Sequence, residues 1–352
     1  MRRSPVHPGR ILLLLLLAVV LLIALVPWMV QMPGESAQEP LAAATAEERA
    51  LAKRLEADVR VLAEDIGERN LFRPAALSRA ADHIEARFRE AGLEVKRESF
   101  QVRELEAGFV PETRAENLVA EIPGREYPER IVVVGAHYDT VRGSPGANDN
   151  ASAVAALLAL AERFAGEPLP YTLRLVAFAN EEPPFYMSAD MGSHVHARNA
   201  REREKDIRAM MAMDGLGYFS NEAGSQQFPG PGLDLLYPDR ANFIGFVTRV
   251  SDRALLRRAL AAFRAQASIP SEGAALPGLV PGVAWSDHWS FWEHDYPAFF
   301  VTDTLPFRDP DYHSPGDTPD RLDFQRMARV THGLAAVIRE LAGQDPSDEE
   351  GD

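Results

Sequence analysis

Cysteine is absent from the chain. Its absence removes disulfides, thiolate zinc sites, a cysteine nucleophile and a lipidated N-terminal cysteine. Any metal must be held by His, Asp or Glu. Basic residues are in deficit, with 37 Lys and Arg against 52 Asp and Glu, a formal charge of −15. A general nucleic-acid binder needs cationic surface to replace counterions, so no nucleic-acid partner is expected. No His-Glu-x-x-His, Gly-x-Ser-x-Gly or phosphate-loop pattern occurs. What is present is ordinary globular composition: 46% hydrophobic and 25% charged residues over a length of 352.

Charge and polarity are also missing from Ile11 to Val30, a run of twenty residues. That is about the length needed to cross a bilayer core. Arg2, Arg3 and Arg10 precede it and no acid does, so residues 1–10 are expected to stay cytoplasmic. The run exceeds the ~7–15 residues of a signal-peptide core, and no Ala-x-Ala site follows at once. We therefore read 11–30 as an uncleaved transmembrane signal-anchor. The rest of the chain is then exported to the periplasmic or extracellular side of a single-pass membrane protein. Residues 31–44, with Pro33, Gly34, Ser36 and Pro40, read as a linker. Residues 344–352 read as an acidic, solvated tail.

Between them, 45–343 shows no internal repeat and no compositional break, so one domain is expected. Thr45 and Glu48 form a capping box opening a helix to about residue 66. A second helix spans about 74–90. An antiparallel pair of strands is expected near 94–102 and 117–122. Apolar runs at 131–135, 173–179, 209–213, 242–248 and 298–302 then alternate with helical patterns at 151–164, 188–200, 251–267 and 323–341. This rhythm predicts an α/β fold: a single three-layer α/β/α domain with a mainly parallel, mixed central sheet.

Ligands of such sheets bind beyond the carboxyl ends of the strands. The residues that follow the apolar runs are rich in cation ligands. His137 and Asp139 follow the first, and Asp149 lies before the next helix. Asn180-Glu181-Glu182 follows the second run, Asp214 the third, and the loop after 298–302 reaches Tyr312 and His313. His137, Asp149, Glu182, Asp214 and His313 thus converge on one edge, a nitrogen and oxygen donor set suited to zinc. Singly each has a plainer reading: Asp149 as an N-cap, Asp214 before Gly215 as a turn, the Glu pair as surface. Their shared edge is what argues otherwise. Two Zn²⁺ would be neutralised by Asp149, Glu182, Asp214 and one hydroxide, and a pair of close ions needs a bridging carboxylate. Glu181 is left unligated, placed as a general base.

These segments resemble the M28 family of zinc aminopeptidases over about residues 45–343. The resemblance rests on His137-Tyr138-Asp139, Gly146–Ser152, Asn180-Glu181-Glu182, Asp214, Ser286-Asp287-His288 and Tyr312–Thr318. It implies an exopeptidase acting on peptide substrates, which the expected span at 11–30 would anchor to the membrane. His137 and Asp214 would hold one zinc, Glu182 and His313 the other, with Asp149 bridging. Glu181 would be the general base, and Asp139 would hold the second nitrogen of His137. Tyr312 matches a tyrosine that steadies the oxyanion in some members. Other members carry that tyrosine just before the Ser-Asp-His segment, where this chain has Val283 and Trp285. A second departure is Pro183-Pro184-Phe185-Tyr186, where common members have a glycine-rich segment. An insertion there resembles the glutaminyl-cyclase branch, which uses one zinc. Asn148-Asp149-Asn150 and Tyr312 argue against that branch. A catalytically inactive receptor-like module is the other alternative, and it would be expected to have lost ligands. Trp285, Trp289, Phe291 and Trp292 read either as an apolar side-chain pocket or as core, and His194 and His196 as surface residues.

Overall fold

The computed structural model describes residues 25–102, 114–230 and 232–343. Residues 11–24 of the expected membrane span, residues 1–10 and the acidic tail 344–352 lie outside them. Residues 25–30 are helical. Among the described residues no helix is long and apolar enough to cross a membrane.

The expected capping box is present. Thr45 Oγ1 accepts from the Glu48 N–H, and the Glu48 carboxylate accepts from the Thr45 N–H, opening α1 (Ala46–Arg60). A wider helical turn extends α1 to Ile66. Then follow α2 (Pro74–Glu90), β1 (Val95–Gln101), β2 (Arg114–Ile122), β3 (Tyr127–His137), α3 (Ala153–Phe164), β4 (Tyr171–Phe178), α4 (Gly192–Glu202) and β5 (Asp206–Met213). The chain continues through β6 (Ile244–Arg249), α5 (Arg253–Gln266), β7 (Ser271–Leu276), α6 (His288–Glu293), β8 (Ala298–Thr302) and α7 (Phe324–Ala342).

One eight-stranded sheet runs in the order β1-β2-β4-β3-β5-β8-β6-β7. The centre, β4-β3-β5-β8, is parallel. β2 is antiparallel to both β1 and β4, and β6 is antiparallel to β8, with β7 parallel to β6. Strand alternation builds the two cores. In β3, Val132, Val134 and Ala136 face α1, α2, α3, α5 and α7, while Ile131 and Val133 face α4 and α6. β4, β5 and β8 divide the same way, so every central strand is covered on both sides.

The sequence reading missed β7 and α6. β7 (Ser-Glu-Gly-Ala-Ala-Leu) carries no β-branched or aromatic residue, and α6 is too short to show a helical period. The expected linker 31–44 is fastened to the domain: its backbone carbonyls accept from Arg257, Arg264 and Arg329, and Glu39 pairs with Arg326.

Candidate metal centre

The carboxyl ends of β3, β4, β5 and β8 lie together, and all five expected ligands meet there. His137 is the last residue of β3, Asp214 follows β5, and Glu182 comes four residues after β4. Asp149 sits in the irregular turn before α3, and His313 in the loop after β8. Asp149 stands in the middle. Its Oδ1 is 3.2 Å from His137 Nε2, which in turn is 3.4 Å from Asp214 Oδ1. Its Oδ2 is 3.1 Å from His313 Nε2, which is 3.2 Å from Glu182 Oε2. Two donor groups result, His137/Asp149/Asp214 and Asp149/Glu182/His313, each with ligand atoms within 4.8 Å of one another.

A cation suits this geometry. His137 Nε2 and Asp214 Oδ1 are buried with no hydrogen-bond partner, an arrangement costly unless something charged faces them. Nδ1 of His137 lies 3.2 Å from the Asp139 carbonyl oxygen, which fixes the ring so that Nε2 presents its lone pair to the centre. Ser286 donates to Asp214 Oδ2 at 2.9 Å, leaving Oδ1 toward His137.

The electrostatics of these groups point to the same shortage of positive charge. Burial disfavours a charged His137, yet Asp214, Glu181, Asp139 and Asp149 outweigh it and raise the imidazole well above its ordinary value. Burial likewise opposes a charged His313, while Asp149 and Glu182 carry it up to about 10. Glu182 is pushed up to about 7 by burial and by the charge of Asp149. Glu181 is raised well above the carboxylate range, first by burial and then by Asp214, Glu182 and Asp287 against the pull of His137.

The role expected of Asp139 is divided. Its carboxylate is 3.6 Å from His137 Nδ1, beyond hydrogen-bond reach, and the main-chain carbonyl makes that contact instead. The carboxylate accepts from the backbone N–H of Glu181 at 3.0 Å and of Glu182 at 3.2 Å, so Asp139 orients the pair as a unit. Asp317 does the same for the opposite wall, accepting from the N–H groups of Asn148 and Asp149. Gly146, at φ 61°, starts that wall in the left-handed region. A Cβ there would lie 2.4 Å from the Asp149 carbonyl oxygen. His313 also sits at left-handed φ, 56°, a strained backbone held beside its ligand partners.

Arg69 escaped the sequence reading. It is wholly buried and donates to the carbonyls of Tyr138, Pro145 and Gly146, tying together the loop that carries His137 and Asp149. Burial lowers its guanidinium to about 10. An arginine at a helix end resembles any surface residue in sequence, and only its tertiary partners identify it.

A cavity of about 360 Å³ opens beside Asp149, Glu181, Glu182 and Asp214. Its far wall is apolar, with Phe243, Phe246, Val247, Phe300 and Val283 among the lining residues. Tyr312 lines the mouth, its ring stacked on His313 with centroids 3.8 Å apart. Tyr186, from the departing segment after the Glu pair, lines it as well. The tryptophan cluster separates. Trp285 lines the cavity and stacks on Phe307, whereas Phe291 and Trp292 are buried in the core under α4, with Trp289 packed against them. His196 is buried, not at the surface, and pairs with Glu98 at 2.8 Å; His194 stacks on Trp289 and lies tilted against His294.

The family model for peptidase family M28 matches residues 117–338, which hold every one of these ligands. The chain belongs to peptidase family M28. It is similar to the uncharacterized protein YfbL of Escherichia coli, 37% identical over 297 residues, covering 81% of this chain and 87% of that one. It also resembles a probable leucine aminopeptidase of Arthroderma otae, 30% identical over 239 residues. That match covers 63% of this chain and spans only 57% of the relative's length. Among solved structures the fold is similar to BSAP, a zinc aminopeptidase from Bacillus subtilis, with TM-score 0.66 and 16% identity over 84% of this chain and 96% of that one. The glutaminyl cyclase of Fimbriiglobus ruber shares the fold at TM-score 0.58 and 20% identity, over 87% of this chain and 97% of that one. In this M28 chain the single α/β domain with a mixed central sheet agrees with the expectation.

Proposed function

We propose that the protein is a membrane-tethered aminopeptidase that binds two zinc ions and removes apolar N-terminal residues from peptides outside the cytoplasm. Residues 11–30 would cross the membrane with residues 1–10 inside. His137 and Asp214 would hold one ion, Glu182 and His313 the other, and Asp149 would bridge. The single observation that carries this reading is Asp149, whose two carboxylate oxygens face two separate donor groups. Bound divalent ions supply Lewis-acid polarisation of the scissile carbonyl and acidify water.

The chain's own residues do the rest. Glu181 is buried and belongs to neither donor group, with Oε2 3.9 Å from His137 Nε2. It takes the proton of the attacking water and returns it to the leaving amine nitrogen. Asp139, by fixing the Glu181 N–H, aims that carboxylate. The Tyr312 hydroxyl donates to the carbonyl oxygen as negative charge gathers there. The apolar wall at Phe243, Phe246 and Phe300 excludes water and receives the N-terminal side chain.

A panel of aminoacyl reporters, assayed alongside metal quantitation, tests this. Leucyl or phenylalanyl reporters should be cleaved, aspartyl reporters far more slowly, and chelation should abolish turnover until zinc is restored. The cyclase reading is separated from this one by a peptide beginning with Gln. Ammonia release without a freed amino acid would favour cyclisation; release of free amino acid favours the aminopeptidase. An inactive module would do neither.

A further inference from the structure

We infer that the exported domain rests on the bilayer with the edge of its sheet opposite the metal centre facing the lipid, so that the cavity opens away from the membrane. The inference rests on the reading of residues 11–30 as a membrane span, and it does not depend on the reaction catalysed.

Sheet polarity locates the two edges. The candidate centre lies at the carboxyl ends of β3, β5 and β8. β6 is antiparallel to β8, pairing Gly245 with Thr302, so Arg249 at its carboxyl end lies at the opposite edge. α5 starts there, at Arg253. The last residues of the expected span and the first after it are fastened at that spot. Arg253 donates to the Trp28 carbonyl at 2.7 Å and lies over the Trp28 ring at 4.3 Å. Arg257, one turn further, donates to the Gln31 carbonyl. The strap then climbs α5. Arg264 donates to Pro33, and Ser36 accepts from the Ser271 N–H at the start of β7, which is already the edge of the metal centre. No slack remains between the end of the apolar run and the domain. A span ending at Val30 therefore brings the Arg253 edge to the membrane surface.

The composition of that edge suits a headgroup layer. Leu25 and Trp28 are among the few large apolar side chains exposed. Tryptophan is enriched at membrane–water interfaces, and arginine is among the side chains that anchor there. Between residues 249 and 258 four arginines stand against one acid, Asp252, in a chain of net charge −15. Such a basic segment is attracted to anionic lipid over a Debye length of about 8–10 Å.

The absence of cysteine makes the test direct. Ala254→Cys, exposed on the first turn of α5, and Glu222→Cys, exposed in the loop joining β5 to β6 at the opposite edge, each give one labelling site. The full-length chain, carrying an environment-sensitive fluorophore at either position, is reconstituted into phosphatidylcholine–phosphatidylglycerol vesicles with nitroxide-headgroup lipid. Several-fold stronger quenching at 254 than at 222 is expected. Weakening the strap's hold with Arg253→Ala and Arg257→Ala together should narrow the difference between the two positions. Equal or reversed quenching in the parental background overturns the inference, as does a difference that the double substitution leaves unchanged. Full-length protein that fails to sediment with the vesicles overturns the membrane reading itself, and leaves the peptidase reading standing.

Discussion

At the residue scale, the account assigns different work to neighbouring carboxylates. Glu182 and Asp149 face histidines at hydrogen-bonding distance, while Glu181 does not belong to either donor group. Glu181→Gln is therefore expected to keep its metal content and to lose about 10²–10⁴-fold in kcat with little change in KM. Turnover at the parental rate would show the base to be another group. Asp149→Ala is expected to lower the bound metal of the folded protein, measured by elemental analysis, because both donor groups lose a ligand. Arg69 makes a different prediction, one of stability. Arg69→Met takes the guanidinium away from the carbonyls of Tyr138 and Pro145 and leaves Gly146 with only the Ala151 N–H. A loss of about 2–5 kcal/mol in urea unfolding is expected. A variant as stable as the parent would mean that water replaces the guanidinium.

At the element scale, Glu98 of β1 fastens the sheet's edge to α4. It accepts from His196 at 2.8 Å, Asn199 at 3.0 Å and Asn117 at 3.1 Å. Burial pushes its carboxyl up, but His196 and the two amides outweigh that and hold it down at about 2, against an ordinary value of 4.5. A depressed carboxylate stabilises the fold above its ordinary range, and the contribution is lost as pH falls from about 4.5 through 2. Glu98→Gln is expected to cost about 1–3 kcal/mol at pH 7 and almost nothing near pH 2. A gap that widens on acidification would contradict the assignment.

The elements also show what the sequence made legible. β3, β4, β5 and β8 are apolar on both faces, so they stand out as runs, and ligands placed after such runs fall on one edge of a parallel sheet. That logic located His137, Asp149, Glu182, Asp214 and His313 without coordinates. It could not see Arg69 or Asp317, whose partners are backbone groups far away in sequence. Nor could it see the strap at 31–44, where Pro and Gly read as a linker while the arginines that bind it lie more than two hundred residues on. Asp139 shows the middle case: its closeness to His137 was legible, but its use as an anchor for the Glu pair depends on how β3 and β4 lie side by side.

At the scale of the whole molecule, helices on both faces hold a sheet whose parallel centre delivers loops to one edge. Those loops bring two donor groups that share Asp149 to the lining of a mainly apolar cavity. The paired site is the claim on which substrate, base and mechanism depend. Its most direct measurement is an anomalous difference map collected at the zinc absorption edge from crystals of the zinc-loaded protein. The account predicts two peaks, one among His137, Asp149 and Asp214 and one among Asp149, Glu182 and His313. A single peak, or none at these residues in a well-folded crystal, would contradict it.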